Sequence, residues 1–237
     1  MAYGLTKSLD LEASSSQYVA ASDSATLSVT GDLTLEGWVK IESAPGSGVQ
    51  YTFGAKYTTT GNQRSYSFWY YNSGGTPQMG MTISSLGSNA VAASINHTLA
   101  IGSWIHVAFV YTASTGGIEF FVDGSSVGSA SGLYTSIFDG TADFQLGREN
   151  TTWYMDGEMS LWRLWAETRT EAEITDNMCS VLGPTTNLGA EWTLDAVYTD
   201  NSGNSNTLTP SGSPTFATDV PSTCATAVNT TNFFYMN

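Results

Sequence analysis

Asp156 and Glu158 stand one residue apart, a spacing that puts two carboxylates on one face of a strand. A glycosidase needs such a pair, an acid with a nucleophile or base about 5–9.5 Å away. Gly157 between them marks a hairpin edge, where acidic residues commonly serve turns. Glu119 and Asp123 share a face only if their strand stays regular into Asp123-Gly124, itself a tight-turn signal. There are two histidines. His106 lies inside the apolar run Trp104-Ile-His-Val-Ala-Phe-Val-Tyr111 and reads as a core residue, while His97 lies in the polar segment Ser94-Ile-Asn-His-Thr98. The sequence has no Gly-x-Ser-x-Gly elbow, no His-Glu-x-x-His pair and no Gly-rich phosphate loop opening a helix. Triad chemistry, zinc hydrolysis and nucleotide chemistry fall together.

Binding chemistry is better represented. Asp195 with Asp200-Asn-Ser-Gly-Asn204 gathers carboxylates, amides and turn carbonyls within ten residues, the oxygen set that calcium favours. Asp195, Asp200, Asn201 and Asn204 are thus candidate calcium ligands, and the same residues would also build an Asx-type turn without metal. Arg148-Glu-Asn-Thr-Thr-Trp-Tyr-Met-Asp156 reads as a loop, and Asn150, Trp153 and Tyr154 within it are candidates for glycan stacking or partner contact. Asn96, Asn150 and Asn229 each begin an Asn-x-Thr sequon. Cys179 and Cys224 have neither CxxC spacing nor a nearby histidine, so they read as one structural disulfide in an oxidising place, or as two small buried hydrophobes in a reducing one.

Seven Lys and Arg against 21 Asp and Glu give a formal net charge of −14 over 237 residues. The basic residues form no cluster, so nucleic acid and anionic membrane surfaces are poor partners. No stretch approaches the ~20 apolar residues of a membrane span. Met-Ala-Tyr-Gly-Leu-Thr-Lys is not a signal peptide, which implies a trimmed chain or export without a Sec signal, for example by assembly into a virion. Only 12% of residues are charged, against ~25% in an average soluble domain. Ser, Thr and Gly take their place, which suits strands and turns.

The pattern along the chain is strand after strand. Leu33-Thr-Leu-Glu-Gly-Trp-Val-Lys-Ile41 alternates, with Leu33, Leu35, Val39 and Ile41 on one side and Thr34, Glu36, Trp38 and Lys40 on the other. Tyr66-Ser-Phe-Trp-Tyr-Tyr71 and Met79-Gly-Met-Thr-Ile83 flank a turn cluster and form a hairpin. The run from Trp104 to Tyr111, apolar on both faces, is a central strand. Thr170-Glu-Ala-Glu173 has capping-box spacing and starts one short helix near 170–178, with Ile174 and Met178 on one face. Trp192-Thr-Leu194 and Asn206-Thr-Leu208 read as late strands. The fold class is all-β: a two-sheet antiparallel sandwich or jelly roll over 1–237, with its core in about 5–210 and a tail, 211–237, packing on the sandwich or on a neighbour.

Several segments occur in the order found in a known family. They are Ser8-Leu-Asp-Leu-Glu12, Leu35-Glu-Gly-Trp-Val-Lys40, Trp104-Ile-His-Val-Ala108, Ile118-Glu-Phe-Phe-Val-Asp-Gly124, Phe144-Gln-Leu-Gly147 and Gly157-Glu-Met-Ser-Leu-Trp-Arg-Leu-Trp165. In these the chain resembles the laminin-G-like, concanavalin A-like jelly rolls, especially the pentraxin-related group of bacterial, archaeal and phage surface proteins. That family usually carries an acidic residue where this chain has Ser160, and its glucanases carry a Glu-x-Asp-x-x-Glu strand that has no counterpart here. This architecture hosts glycan binders, adhesion modules, hydrolases and structural proteins alike; the missing strand of paired carboxylates and the lack of a histidine constellation point to a non-catalytic interaction module on an extracellular or virion surface, such as a capsid decoration or fibre component, with a glycan or protein partner. A secreted or cell-surface carbohydrate-binding adhesion module is the alternative, and a glycan-processing enzyme is the alternative of another class. The apolar tail Thr231-Asn-Phe-Phe-Tyr-Met-Asn237, with Phe233, Phe234 and Tyr235, implies burial in an edge strand or against a neighbour, hence a homo-oligomer or virion assembly.

Overall fold

The computed structural model describes residues 4–224. The assembly tail with Phe233, Phe234 and Tyr235 lies outside the described residues. Strands β1 (Ser8–Leu11), β2 (Tyr18–Ala21), β3 (Leu33–Ile41) and β4 (Gln50–Thr58) open the chain. Two runs of hairpin-linked strands follow, β5 (Gln63–Ser73), β6 (Thr76–Ile83) and β7 (Val91–Asn96) in one sheet, then β8 (Trp104–Thr112), β9 (Gly117–Val122) and β10 (Ser125–Ala130) in the other. Short strands β11 (Phe144–Leu146), β12 (Arg148–Glu149) and β13 (Trp153–Tyr154) precede the long β14 (Gly157–Trp165) and helix α1 (Glu171–Asn177). β15 (Leu188–Trp192), β16 (Thr209–Ser211) and β17 (Thr215–Ala217) close the fold.

Two sheets face each other. One runs β10-β9-β8-β3-β14-β1-β17, with β15 also paired to β14; the other runs β16-β2-β11-β4-β5-β6-β7. Period-two alternation places Leu33, Leu35, Val39 and Ile41 in the shared core, as the sequence pattern predicts. From the opposite sheet Phe53 meets Phe109 and Trp162 with ring centres 5.9 Å apart, and Phe144 stacks on Trp192 at 5.3 Å. The hairpin between β5 and β6 turns on Gly74 and Gly75, both at positive φ. β16 and β17 pair with β2 and β1, so part of the expected tail packs on its own sandwich. The late strand expected from Asn206 starts instead at Thr209. Asn206 is pinned across β15, its N–H donating to Asp200 Oδ2 and its carbonyl accepting from Trp192 Nε1, so it is unavailable to a ladder.

β14 breaks its alternation once. Leu161 adopts φ 47° and the pairing with β3 shifts between Ser160 and Arg163. Met159 and Trp162 therefore both enter the main core. Without the bulge, Arg163 would share the core side with Met159; with it, the guanidinium turns to the outer side of the sheet. There Arg163 Nε donates to Glu191 Oε2 at 2.8 Å, Nη1 to Glu36 Oε1 at 3.3 Å, and Nη2 to the carbonyls of Asn177 and Ser180. Glu191 also accepts from the N–H groups of Leu182 and Gly183, and Trp165 Nε1 donates to Glu36. The capping box forms as predicted, with Thr170 Oγ1 accepting from Glu173 N–H and Glu173 Oε2 from Thr170 N–H. Ile174 then packs on Ala108, Val110 and Phe121. Trp38 Nε1 donates to Met178 O at 2.7 Å, and the Cys179–Cys224 disulfide closes this layer.

Candidate functional site

On the seven-stranded sheet, β5 sends Tyr66, Phe68 and Tyr70 inward, so Ser67, Trp69 and Tyr71 face outward. Register sets Thr52 and Gly80 beside Trp69, and Gln50 and Gln78 beside Tyr71. Gly80 is required by its neighbour: a Cβ there would stand 2.2 Å from the Trp69 ring, so the indole crosses β6 only because this position has no side chain. Trp69 Nε1 donates to Thr82 Oγ1 at 3.0 Å, and Tyr71 meets the indole edge-on at 6.2 Å. Trp69 is buried and forms a floor, while Tyr71 and Gln78 remain half-buried at its rim.

The ribbon β12–β13 packs against β4 and carries the charged groups of this face. Cross-strand partners leave a ribbon on the same side, so the register Glu149↔Trp153 and Arg148↔Tyr154 separates two pairs. Glu149 points to the sheet. Its Oε2 accepts from Gln50 Nε2 at 3.1 Å and from Ser67 Oγ, while Oε1 has no partner among the described residues. Burial pushes its carboxyl above the usual range, and the hydrogen bonds from Ser67 and Gln50 oppose that rise. Asn150, at φ 56°, accepts from Thr58 Oγ1 at 3.2 Å. On the other side the Arg148 guanidinium sits 3.5 Å from the Tyr18 ring centre and 6.0 Å from that of Tyr154. The predicted Asn150, Trp153 and Tyr154 thus share one ribbon, but Trp153 joins Glu149 while Tyr154 joins Arg148. Sequence reasoning passed over Arg148 and Glu149. Their signal was there: opposite charges side by side in a charge-poor chain.

The remaining candidates hold structure. Asp200 accepts through Oδ1 from the N–H groups of Glu191 and Ser202 and through Oδ2 from Asn206 N–H and Ser202 Oγ. Asp195 Oδ1 accepts from the N–H groups of Thr6 and Lys7, Asn201 N–H donates to Glu191 O, and Asn204 Nδ2 donates to the carbonyls of Leu188 and Gly189. N–H and O–H donors fill both oxygens of Asp200 and Oδ1 of Asp195, which is the hydrogen bonding of an Asx-type turn. Among the described residues no three His, Cys, Asp or Glu side chains are grouped to hold a metal. Asp156 accepts from Ser43 Oγ and Ala13 N–H, and Glu158 from Lys40 Nζ and Ser8 Oγ. Asp123 accepts from His106 N–H and Glu119 from Ser126 Oγ. His106 is fully buried, and desolvation, aided by the Arg163 charge, pushes its pKa down to about 3. A separate cleft of about 730 Å³ lies between residues 25–32 and 184–189, lined by hydroxyl and amide groups, the Asp32 carboxylate and the aliphatic side chains of Val29, Pro184 and Leu188, with no aromatic ring.

Residues 13–175 match the family model of the concanavalin A-like lectin/glucanase superfamily. The chain belongs to that superfamily. Among solved structures, this concanavalin A-like domain is similar to a protein from Bacteroides ovatus described as carbohydrate-binding, at 18% identity and a TM-score of 0.67 over 90% of this chain. The domain spans 60% of the length of that protein. It is also similar to the heptameric pentraxin of Limulus polyphemus, at 14% identity, a TM-score of 0.56 and coverage of 85% and 94% of the two chains. The CBM40 of the Ruminococcus gnavus IT-sialidase, solved with α2,3-sialyllactose, superposes at 13% identity and a TM-score of 0.55, covering 76% of this chain and all of that one. No curated protein matches the chain in sequence.

Proposed function

We propose that this domain is a non-catalytic carbohydrate-binding module that receives its glycan on the outward side of the seven-stranded sheet, beside Glu149 and Trp153. The observation that carries this reading is the pairing on one ribbon side of a half-buried indole with a carboxylate whose Oε1 has no partner among the described residues. An indole offers a flat face to sugar C–H groups and a carboxylate accepts sugar hydroxyls. Tyr71, Gln78 and the Trp69 floor extend that surface along the sheet. The solved carbohydrate-binding proteins of this fold support the class, and the Cys179–Cys224 bond supports display outside a reducing compartment. The host surface is a virion, as a decoration or fibre component, or a cell, as an adhesion module, and proteomics of purified virions against secreted fractions separates the two.

Titration of the domain with an array of oligosaccharides should give binding that Trp153→Ala weakens at unchanged melting temperature. Absence of binding to any glycan class, or binding indifferent to Trp153→Ala and Glu149→Gln together, overturns the reading. The enzymatic alternative requires Asp156 or Glu158 to be released from Ser43, Ala13, Lys40 and Ser8. Polysaccharide turnover abolished by Asp156→Ala or Glu158→Ala would establish it instead.

A further inference from the structure

We propose that Arg148, on the side of the ribbon opposite Glu149 and Trp153, receives the carboxylate of an acidic sugar, so that the domain selects carboxylate-bearing saccharides over their neutral counterparts; the inference rests on the glycan-binding reading above. Cations are scarce here, seven against 21 acids, and most are already committed. Lys40 is paired with Glu158 and Asp219, Lys56 with Asp23, Arg163 with Glu36 and Glu191, and Arg169 with Glu167 and Glu173. Arg64 spends its Nη1 on Asn62 Oδ1 and Gly87 O, and Lys7 precedes β1 on the other sheet. Arg148 has no acidic partner among the described residues.

Its posture is nevertheless fixed. The guanidinium lies 3.5 Å from the Tyr18 ring centre, and its Nε donates to Gln145 Oε1 at 2.9 Å. Those two contacts occupy one face of the group and one donor. Nη1 and Nη2 have no partner among the described residues, and neither is a buried orphan. A stacked guanidinium with a free two-nitrogen edge is a planar fork matched to a carboxylate, already ordered before a ligand arrives. Tyr18, on β2, and Gln145, on β11, both belong to the sheet whose outward side carries Glu149. The Glu149 carboxylate turns to the opposite side of the ribbon, toward Ser67 and Gln50, so it does not occupy the fork. The charge of −14 opposes anions at long range, but at physiological salt that field is screened beyond about 8 Å and the local fork decides. The competing account is that the stack on Tyr18 only holds the ribbon down, which calls for no open fork and no charge preference.

Calorimetric titration of the wild-type domain with sialyllactose against lactose, and with oligogalacturonate against its methyl ester, tests the inference without any substitution. The acidic member of at least one pair should bind about tenfold tighter, the size of one charge-assisted contact, and added salt should shrink the difference. Whichever pair shows it tells whether the carboxylate belongs to a nonulosonate or a uronate. Arg148→Met should abolish the difference and Arg148→Lys should restore only part of it, since an ammonium lacks the fork. Equal binding of acidic and neutral members, or a difference that survives in a folded Arg148→Met domain, overturns the inference and leaves glycan binding standing. Failure of every saccharide to bind overturns both.

Discussion

Removing Arg163 should be among the most damaging single changes to this fold, and the reason is countable. The side chain is fully buried between Glu36 and Glu191, which are 1% and 0% exposed. In Arg163→Met both carboxylates lose their cation, and the carbonyls of Asn177 and Ser180 lose a donor. Trp165 still donates to Glu36, and Leu182 and Gly183 still donate to Glu191, so neither acid is left bare. Breaking one partner out of a buried ion pair typically costs about 3–5 kcal/mol. At roughly 2–4 °C per kcal/mol for a chain of this size, the melting temperature should fall by about 6–20 °C at pH 7. The sign with pH follows from the two stranded acids. A buried carboxylate that has lost its cation costs far more in its charged form than in its neutral form, so the deficit should be larger at pH 7 than in acid. Loss of Arg163 also lifts the charge that helps hold the buried His106 imidazole neutral, and Glu36 Oε2 lies 3.7 Å from its Nε2. Calorimetric melts from pH 4 to pH 8 read both effects. A shift under ~2 °C, or one independent of pH, would refute the view that this network clamps helix α1 and residues 178–183 to the sheet.

Three further outcomes are expected. Breaking Cys179–Cys224 by paired Ser substitution removes a 45-residue closure and should cost about 2–4 kcal/mol in thermal or denaturant unfolding; two free thiols in the unreduced mass spectrum would remove the bond from the account. His106 is buried neutral with its pKa pushed down to about 3, so the unfolded chain takes up more protons below the ordinary histidine value and wild-type stability should decline as pH falls from about 6.5, by up to ~1.4 kcal/mol per pH unit; His106→Phe should flatten that decline, and an unchanged slope would refute the assignment. Because donors fill both Asp200 oxygens and Oδ1 of Asp195, excess chelator and millimolar calcium should give the same melting curve; a calcium-dependent rise would refute this and make the loop a calcium site.

Much of the framework could be read from local pattern, because strands, hairpins and caps are written at short range. The alternation from Leu33 to Ile41, the turn at Asp123-Gly124 and the Thr170/Glu173 box each needed only neighbours in sequence. The Arg163 network did not yield to the same reading. A leucine at φ 47° is a strained choice that no propensity announces, and that one residue decides which side of β14 the arginine takes. The site was half legible for a similar reason. Asn150, Trp153 and Tyr154 were visible as polar and aromatic residues in a loop, but Trp153 and Tyr154 part company only once 148 and 149 are known to form a ribbon laid over β4. Glu149 becomes a functional candidate through Ser67 and Gln50, 82 and 99 residues away. Asp200-Asn-Ser-Gly-Asn204 was ambiguous at the outset, since the oxygens that suit calcium also suit an Asx turn, and the hydrogen bonds to residues 188–191 favour the turn.

Amide-resolved NMR titration with the tightest-binding saccharide tests the central claim most directly. Glycan binding on the outward side of the seven-stranded sheet predicts shifts concentrated in β4, β5, β6 and the ribbon, with the indole N–H of Trp153 among the largest and the changes lost in Trp153→Ala. Shifts gathered instead around residues 25–32 and 184–189, the walls of the separate cleft, would contradict it.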